Sequence, residues 1–427
     1  MTGLLGIGQL QPHMVLADDL RAYNGRLLMP KDLCLSAQHI RIMKMWGVVG
    51  ARIKNAAPDH QLSCDIEAAT PSPREPLPCP VRDRFSCHLL DHPAISTLYR
   101  CAVSRHAEHE PLKARKAATA ENKAGMRKAG VAVTASTVAG GVFDDPFWDD
   151  AVLPTLPDIF FKINSAIMNP SSSSHDIASV IGKDTGLTAR LLKMANSAFY
   201  GFPSQIDSIQ RAVTIIGAKQ LTTLSCAMNI IDVFMNIPED ILDMASFWRH
   251  SVACGVCSRI LAGYKNIQNT ERLFVAGLLH DIGRLLLYQH ASDDMGPLVV
   301  RAKSEGCLLH RLEYETLKVD HTTVGACLAR KWNLPAMLED IIQFHHTPRK
   351  SINGIETTIV HIADIMTNAM GVGSSGESLV PPLDLQAWEM LGLSEHTLTA
   401  TIQQMDQQMT DVLNIFFPDE KTFRKYH

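Results

Sequence analysis

From residue 151 onward the apolar residues recur every three or four positions, segment after segment, and no stretch up to 370 alternates convincingly between polar and apolar. "TARLLKMANSAFYG" puts Leu187, Leu191, Met194 and Ala198 on one stripe. "SSSSHDIASVIG" sets Ser173 three residues ahead of Asp176, the spacing of a capping box, with Ile177, Val180 and Ile181 sharing a face behind it. "SIQRAVTIIGAKQLTTLSCAMNIIDVF" continues in kind, with Ser208 as cap and a break at Gly217. A run of roughly 200 residues built this way buries its stripes only by packing helix on helix, so an all-α bundle is predicted.

Two other zones precede it. Residues 1–54 pair short apolar runs across an Asn24-Gly25 step, a strong hairpin marker, and Ser36 then caps a helix carrying Ile40, Met43 and Gly47. This reads as a small β/α unit. Residues 55–150 read as a linker: 56–80 hold six prolines without periodicity. One helix follows in "HPAISTLYRCAVSRHAEH", and then the alanine-rich basic stretch 113–130, which reads as solvated. The expected organisation is 1–54, 55–150 and a helical domain over 151–420.

Composition narrows the function. Aromatic residues make up 6% of the 427, against 18 methionines, which suits aliphatic helix packing better than a base-stacking platform. A net charge of −4, with no basic recognition helix, argues against nucleic acid as a partner. No window reaches the length of apolar sequence that spans a bilayer, so no membrane partner is expected. The ten cysteines are scattered and "MTGLLGIGQL" lacks a charged leader, so a cytoplasmic chain with reduced thiols is expected.

Within the helical region, "LLHDIGRLLL" sets His280 and Asp281 side by side in an oily run. Neighbours on a helix point about 100° apart, so both can flank one ion only at a helix end or off the axis. His250, His321, the pair His345–His346 and Asp364 also fall in or at the ends of apolar helices. Imidazole and carboxylate donors suit a divalent ion such as Fe, Mn, Zn or Mg. The alternative is a polar cluster that satisfies itself across the bundle.

These residues match a known pattern. His250, His280–Asp281 and Asp364 resemble the H…HD…D signature of the HD phosphohydrolase superfamily. "IGKDTGLTARLLKMANSAFYGFPSQIDSIQRAVTIIGAKQL", "FVAGLLHDIGRLLL", "HTTVGACLARKWNLP" and "IIQFHHTP" resemble the HD-related output domain, HDOD, along most of 151–370. The segment from Met14 to Val48 is similar to a unit that often precedes HDOD and HD-GYP domains in bacteria. The resemblance implies an HD-type helical bundle acting as a signalling or regulatory module, many of whose members are considered catalytically inactive. The HD-GYP relatives hydrolyse cyclic di-GMP with two or three metal ions. Carried over by position, their ligands fall on His250, His280, Asp281, His321, His345, His346 and Asp364. Where they have a lysine this chain has Arg284, a group able to fork onto a phosphate oxygen and so the catalytic candidate. Where they have the GYP loop it has "TPRKSINGIETT".

Other candidates have plainer readings. Cys254 and Cys257 sit at i and i+3, a packing face with no second pair at zinc spacing. Cys64, Cys79, Cys87 and Cys101, with His88, His92 and His106, match no ligand spacing. His361, three residues before Asp364, is expected to hydrogen-bond that carboxylate. Phe199, Tyr200 and Phe202 are expected to anchor a turn in the core. Two functions stay open: a regulatory module that binds a signalling protein or nucleotide, and a metal-dependent phosphohydrolase acting on a cyclic dinucleotide or another phosphoester.

Overall fold

The computed structural model describes most of residues 2–54, 80–120 and 154–417, with gaps at 7–9, 12, 22–26, 37–38, 41–42, 44–49, 89, 155, 170, 203, 235–236 and 238–241. In the N-terminal unit, β1 (Thr2–Gly6) pairs antiparallel with β4 (Gly50–Lys54), and β2 (Leu20–Arg21) with β3 (Leu27–Met29). The Asn24-Gly25 step lies outside the described residues, between the two strands that pair. Ser36 caps as expected, its Oγ accepting from the His39 N–H at 3.1 Å. Ile40 and Met43 join Leu10, Leu16, Leu35 and Ile53 in a separate small core, while Gly47 lies outside the described residues.

Everything after residue 80 is helical or loop among the described residues. The helices are α1 (Pro80–Arg84), α2 (Pro93–Ala120), α3 (Asp158–Met168), α4 (Ser174–Ile181), α5 (Thr185–Ala195) and α6 (Ile209–Ile216). Then come α7 (Ala218–Phe234), α8 (Met244–Tyr264), α9 (Glu271–Leu279), α10 (Ile282–His290), α11 (Ser292–Glu305) and α12 (Leu309–Leu317). The chain closes with α13 (His321–Lys331), α14 (Ala336–Phe344), α15 (Gly354–Met370), α16 (Leu385–Leu391) and α17 (Glu395–Phe416). No described helix is long and apolar enough to cross a membrane.

Local chemistry sets most of these boundaries. The capping box at Ser173 forms, with Asp176 N–H donating to Ser173 Oγ and Ser173 N–H donating to the Asp176 carboxylate. Ser208 Oγ caps α6, and Gly217 ends it at φ 106°, a conformation that favours glycine. Helix α5 stops at Ala195, short of the stripe's last position, Ala198. Asn196 turns the chain there: its amide donates to the Leu192 and Ile206 carbonyls and accepts from the Ile206 N–H. The turn that follows is anchored as expected by Phe199 and Tyr200, buried edge to face, with the Arg259 guanidinium 3.8 Å from the Phe199 ring centre.

Helix α8 is buried nearly all round and forms the axis of the bundle. Helices α9, α15 and α17 pack directly on it. Cys254 and Cys257 are buried on its surface as packing residues. Helix α2 packs on α15 and α17, so Ile95, Leu98 and Ala102 share the main core with α8. Its backbone runs on to Ala120, through the first part of the stretch read as solvated linker.

Candidate metal centre

Helix α9 ends at Leu279 and α10 begins at Ile282, so His280 and Asp281 form the joint between them. That break lets two adjacent side chains turn into one space, as the helix geometry required. His280 Nδ1 donates to the Gly277 carbonyl at 2.7 Å, which turns Nε2 inward. From mid-α8, His250 presents Nε2 at 3.4 Å from His280 Nε2 and 3.3 Å from Asp364 Oδ1. His280 Nε2 lies 3.6 Å from the same Asp364 oxygen and 3.4 Å from Asp281 Oδ2. Atoms bound to one ion at the usual distances stand about 3.0–3.4 Å apart, so this first group has close to the right dimensions.

A second group lies on the other side of Asp281. His321 opens α13, and its Nε2 is 3.0 Å from Asp281 Oδ1. His345 caps the end of α14; its Nδ1 donates to the Ile342 carbonyl, leaving Nε2 3.5 Å from His321 Nε2 and 3.8 Å from Asp281 Oδ1. His346 follows, with its ring centre 4.1 Å from that of His345. Potential ligand atoms of His321, His345 and His346 all lie within 4.8 Å of one another, as do those of His250, His280 and Asp364. All seven candidate ligands thus converge, and the two Asp281 oxygens divide between the two groups.

The donor set fits a divalent cation. Buried His346 Nε2 has no hydrogen-bond partner, and Asp281 Oδ1 faces only the His321 and His345 rings. His321 Nδ1–H donates to Glu313 Oε2 at 2.6 Å, so in the neutral ring Nε2 and Asp281 Oδ1 are two acceptors facing each other. A cation belongs between them. In the metal-free chain that cation is a proton: burial and Arg284 oppose it, but Glu313 and Asp281 hold His321 up at about 9. Burial opposes it at His280 too, and Asp281 still raises that imidazole well above its ordinary value. The neighbouring rings go the other way. Burial, reinforced by His280 and His321, pushes His345 down to about 3, and burial with His345 pushes His346 well down. Asp281 and Asp364 stay ionised despite burial, held by Arg284 and His280 in the first case and by His250 and His280 in the second.

Arg284 joins the same cluster, with 2% of its side chain exposed. Its Nε donates to Glu313 Oε1 at 2.9 Å, and its Nη1 donates to Asp281 Oδ2 at 3.2 Å and to Ser375 Oγ at 2.6 Å. Its Nη2 lies 2.9 Å from His321 Nδ1. His361 departs from expectation. It makes no bond to Asp364; its Nδ1 donates to the His345 carbonyl at 2.8 Å and its Nε2 accepts the Asp384 N–H at 3.1 Å. The ring turns toward the end of α14, and Asn368, one turn beyond Asp364, binds that carboxylate at 2.7 Å instead.

Glu313 and Ser375 are the groups that sequence reasoning missed. Glu313 had a signal: it shares a helical face with Leu309 and Leu312, an acid on an apolar stripe. Ser375 had none, because it sits in a loop that only the tertiary fold carries to Arg284. His310 was also passed over. Its ring stacks on His346 at 4.3 Å, and burial pushes it down to about 4.

This bundle, with a His–Asp joint at its centre, defines an HD-type helical domain. Residues 153–348 match the family model of the HDOD domain, so that stretch of the chain carries an HDOD domain. Asp364 lies beyond the matched stretch, and the fold alone brings it in. The crystal structure of an HDOD domain protein with unknown function from Geobacter sulfurreducens is similar, at 24% identity and a TM-score of 0.53, over 62% of this chain and 94% of that one. That likeness shows the fold. An uncharacterised protein of Treponema pallidum (strain Nichols) is 28% identical over 195 residues, 45% of this chain. The match spans 37% of that relative's length.

Proposed function

We propose that this chain is a regulatory module whose helical domain holds a divalent metal in the HD cluster and whose output follows the state of that cluster, without turnover. The observation that carries the reading is that six of the seven ligands are sealed: the side chains of His250, His280, Asp281, His321, His345 and Asp364 are 0–4% exposed. Arg284 fits this reading as a charge-balancing group, since its donors go to Asp281, Glu313 and Ser375. His250, His280 and Asp364 would hold one ion, His321, His345 and His346 a second, and Asp281 would face both. A bound ion would supply Lewis acidity and permanent charge where protons now sit.

A second reading, phosphoester hydrolysis, is favoured by the carboxylate shared between two donor groups, the arrangement that two-metal hydrolases use. The experiment that separates them is metal analysis of the purified protein alongside an assay on a phosphodiester such as bis(p-nitrophenyl) phosphate with Mn²⁺ or Fe²⁺. Stoichiometric metal without turnover is expected. Metal with turnover moves the assignment to the second reading, and absence of metal after supplementation removes both.

A further inference from the structure

Beside the cluster lies a cleft of about 770 Å³, lined by His346, Thr347, Arg349, Lys350, Leu383 and Asp384, with Pro382, Leu385 and Gln386 completing its wall. That volume lies within the range of small-molecule sites, roughly 300–1,000 Å³. Its chemistry is divided. Arg349, Lys350 and the Thr347 hydroxyl supply a cationic, hydrogen-bonding end, and Pro382, Leu383 and Leu385 supply an apolar wall. Two cations against the single carboxylate of Asp384 leave the lining net positive. Arg349 is held in place, its Nε donating to Asp384 Oδ2 and its Nη1 to Gln386 Oε1, both at 2.7 Å. A fixed guanidinium of this kind suits a phosphate better than a freely moving cation does.

The cleft is also wired to the cluster. His346 belongs to both. Asp384, which pairs with Arg349, donates its N–H to His361 Nε2 at 3.1 Å, and His361 Nδ1 donates to the His345 carbonyl at 2.8 Å. A shift of Arg349 or Asp384 therefore reaches the backbone of the His pair through one ring bonded at both ends. We propose that the cleft binds a small phosphate monoester of nucleotide size, and that Asp384, His361 and His345 couple its occupancy to the metal cluster. The coupling rests on the cluster being a metal site; the binding does not.

The experiment has two arms. Metal-stripped full-length chain is titrated with the fluorescent nucleotide mant-AMP, with inorganic phosphate as competitor. Saturable binding is expected, displaced by phosphate and weakened at least tenfold in the Arg349→Gln/Lys350→Gln double variant. Absence of saturable binding, or equal affinity in the double variant, overturns the site. In the second arm the affinity for Mn²⁺ is measured with and without AMP. A change of threefold or more is expected in the wild type, reciprocal in the AMP affinity. The change should vanish in His361→Phe, which removes both ring hydrogen bonds of the link. Identical Mn²⁺ affinity with and without AMP overturns the coupling. No Mn²⁺ binding at all removes the metal reading and the coupling together, while the first arm still decides the site.

Discussion

Arg284 shows how one buried side chain sets the character of the cluster. It is the only cation at fixed charge among two aspartates and a glutamate, and burial is outweighed by Asp281 and Glu313, which hold it charged above its usual range. Removing it leaves Asp281 and Glu313 buried with only histidine and backbone partners. Arg284→Met should therefore destabilise the metal-free chain by about 3–5 kcal/mol. Arg284→Lys should recover only part of the loss, because one ammonium cannot span Asp281, Glu313 and Ser375. Thermal melts in EDTA check this, and an Arg284→Met melt equal to wild type would show that the pairings carry no stability. From sequence, the residue could be placed near His280–Asp281 by its spacing. What it touches could not be read, since Glu313 is 29 positions away and Ser375 is 91.

At the scale of elements, the cluster depends on how closely α10 approaches α13. Gly283 makes that possible: a methyl group on it would overlap the His321 carbonyl and the Gly325 backbone nitrogen. Gly283→Ala must push the helices apart, and overpacking of backbone on backbone costs about 1–3 kcal/mol or more. It should also lower metal affinity at least tenfold, because His321 rides on α13 and Asp281 on the start of α10. Paired measurements of melting temperature and Mn²⁺ affinity check this; unchanged affinity would mean that His321 is not a ligand. The helices themselves were largely legible: the caps at Ser173 and Ser208 and the stop at Gly217 follow from local chemistry. The end of α5 was not, because Asn196 takes its partner from Ile206, ten residues on. His361 was misjudged for the same reason, since its partners lie on the loops ending α14 and opening α16.

Across the whole molecule, the histidines give stability a maximum in pH. His345 and His310, at about 3 and about 4, resist protonation in the folded chain, whereas the unfolded chain takes up protons near 6.5. Their contribution is complete above 6.5 and is lost as the pH falls toward those values. His321, at about 9, binds its proton more tightly when folded, so its contribution is complete below 6.5 and lost as the pH rises through 9. The metal-free chain should melt highest near pH 6.5 and lower on both sides. With Mn²⁺ bound, the His321 proton is replaced, so the alkaline decline should disappear while the acid side steepens. Melts from pH 4.5 to 9, with and without EDTA, decide this, and a pH-independent melting temperature would refute it.

The central claim is that distant helices bring these seven side chains to a shared metal centre. The most direct measurement is anomalous scattering at the manganese edge from crystals grown with Mn²⁺. The account predicts a peak bounded by His250, His280, Asp281 and Asp364, or on the opposite face of Asp281 beside His321 and His345. A chain saturated with Mn²⁺ whose anomalous map is empty between these residues would contradict it.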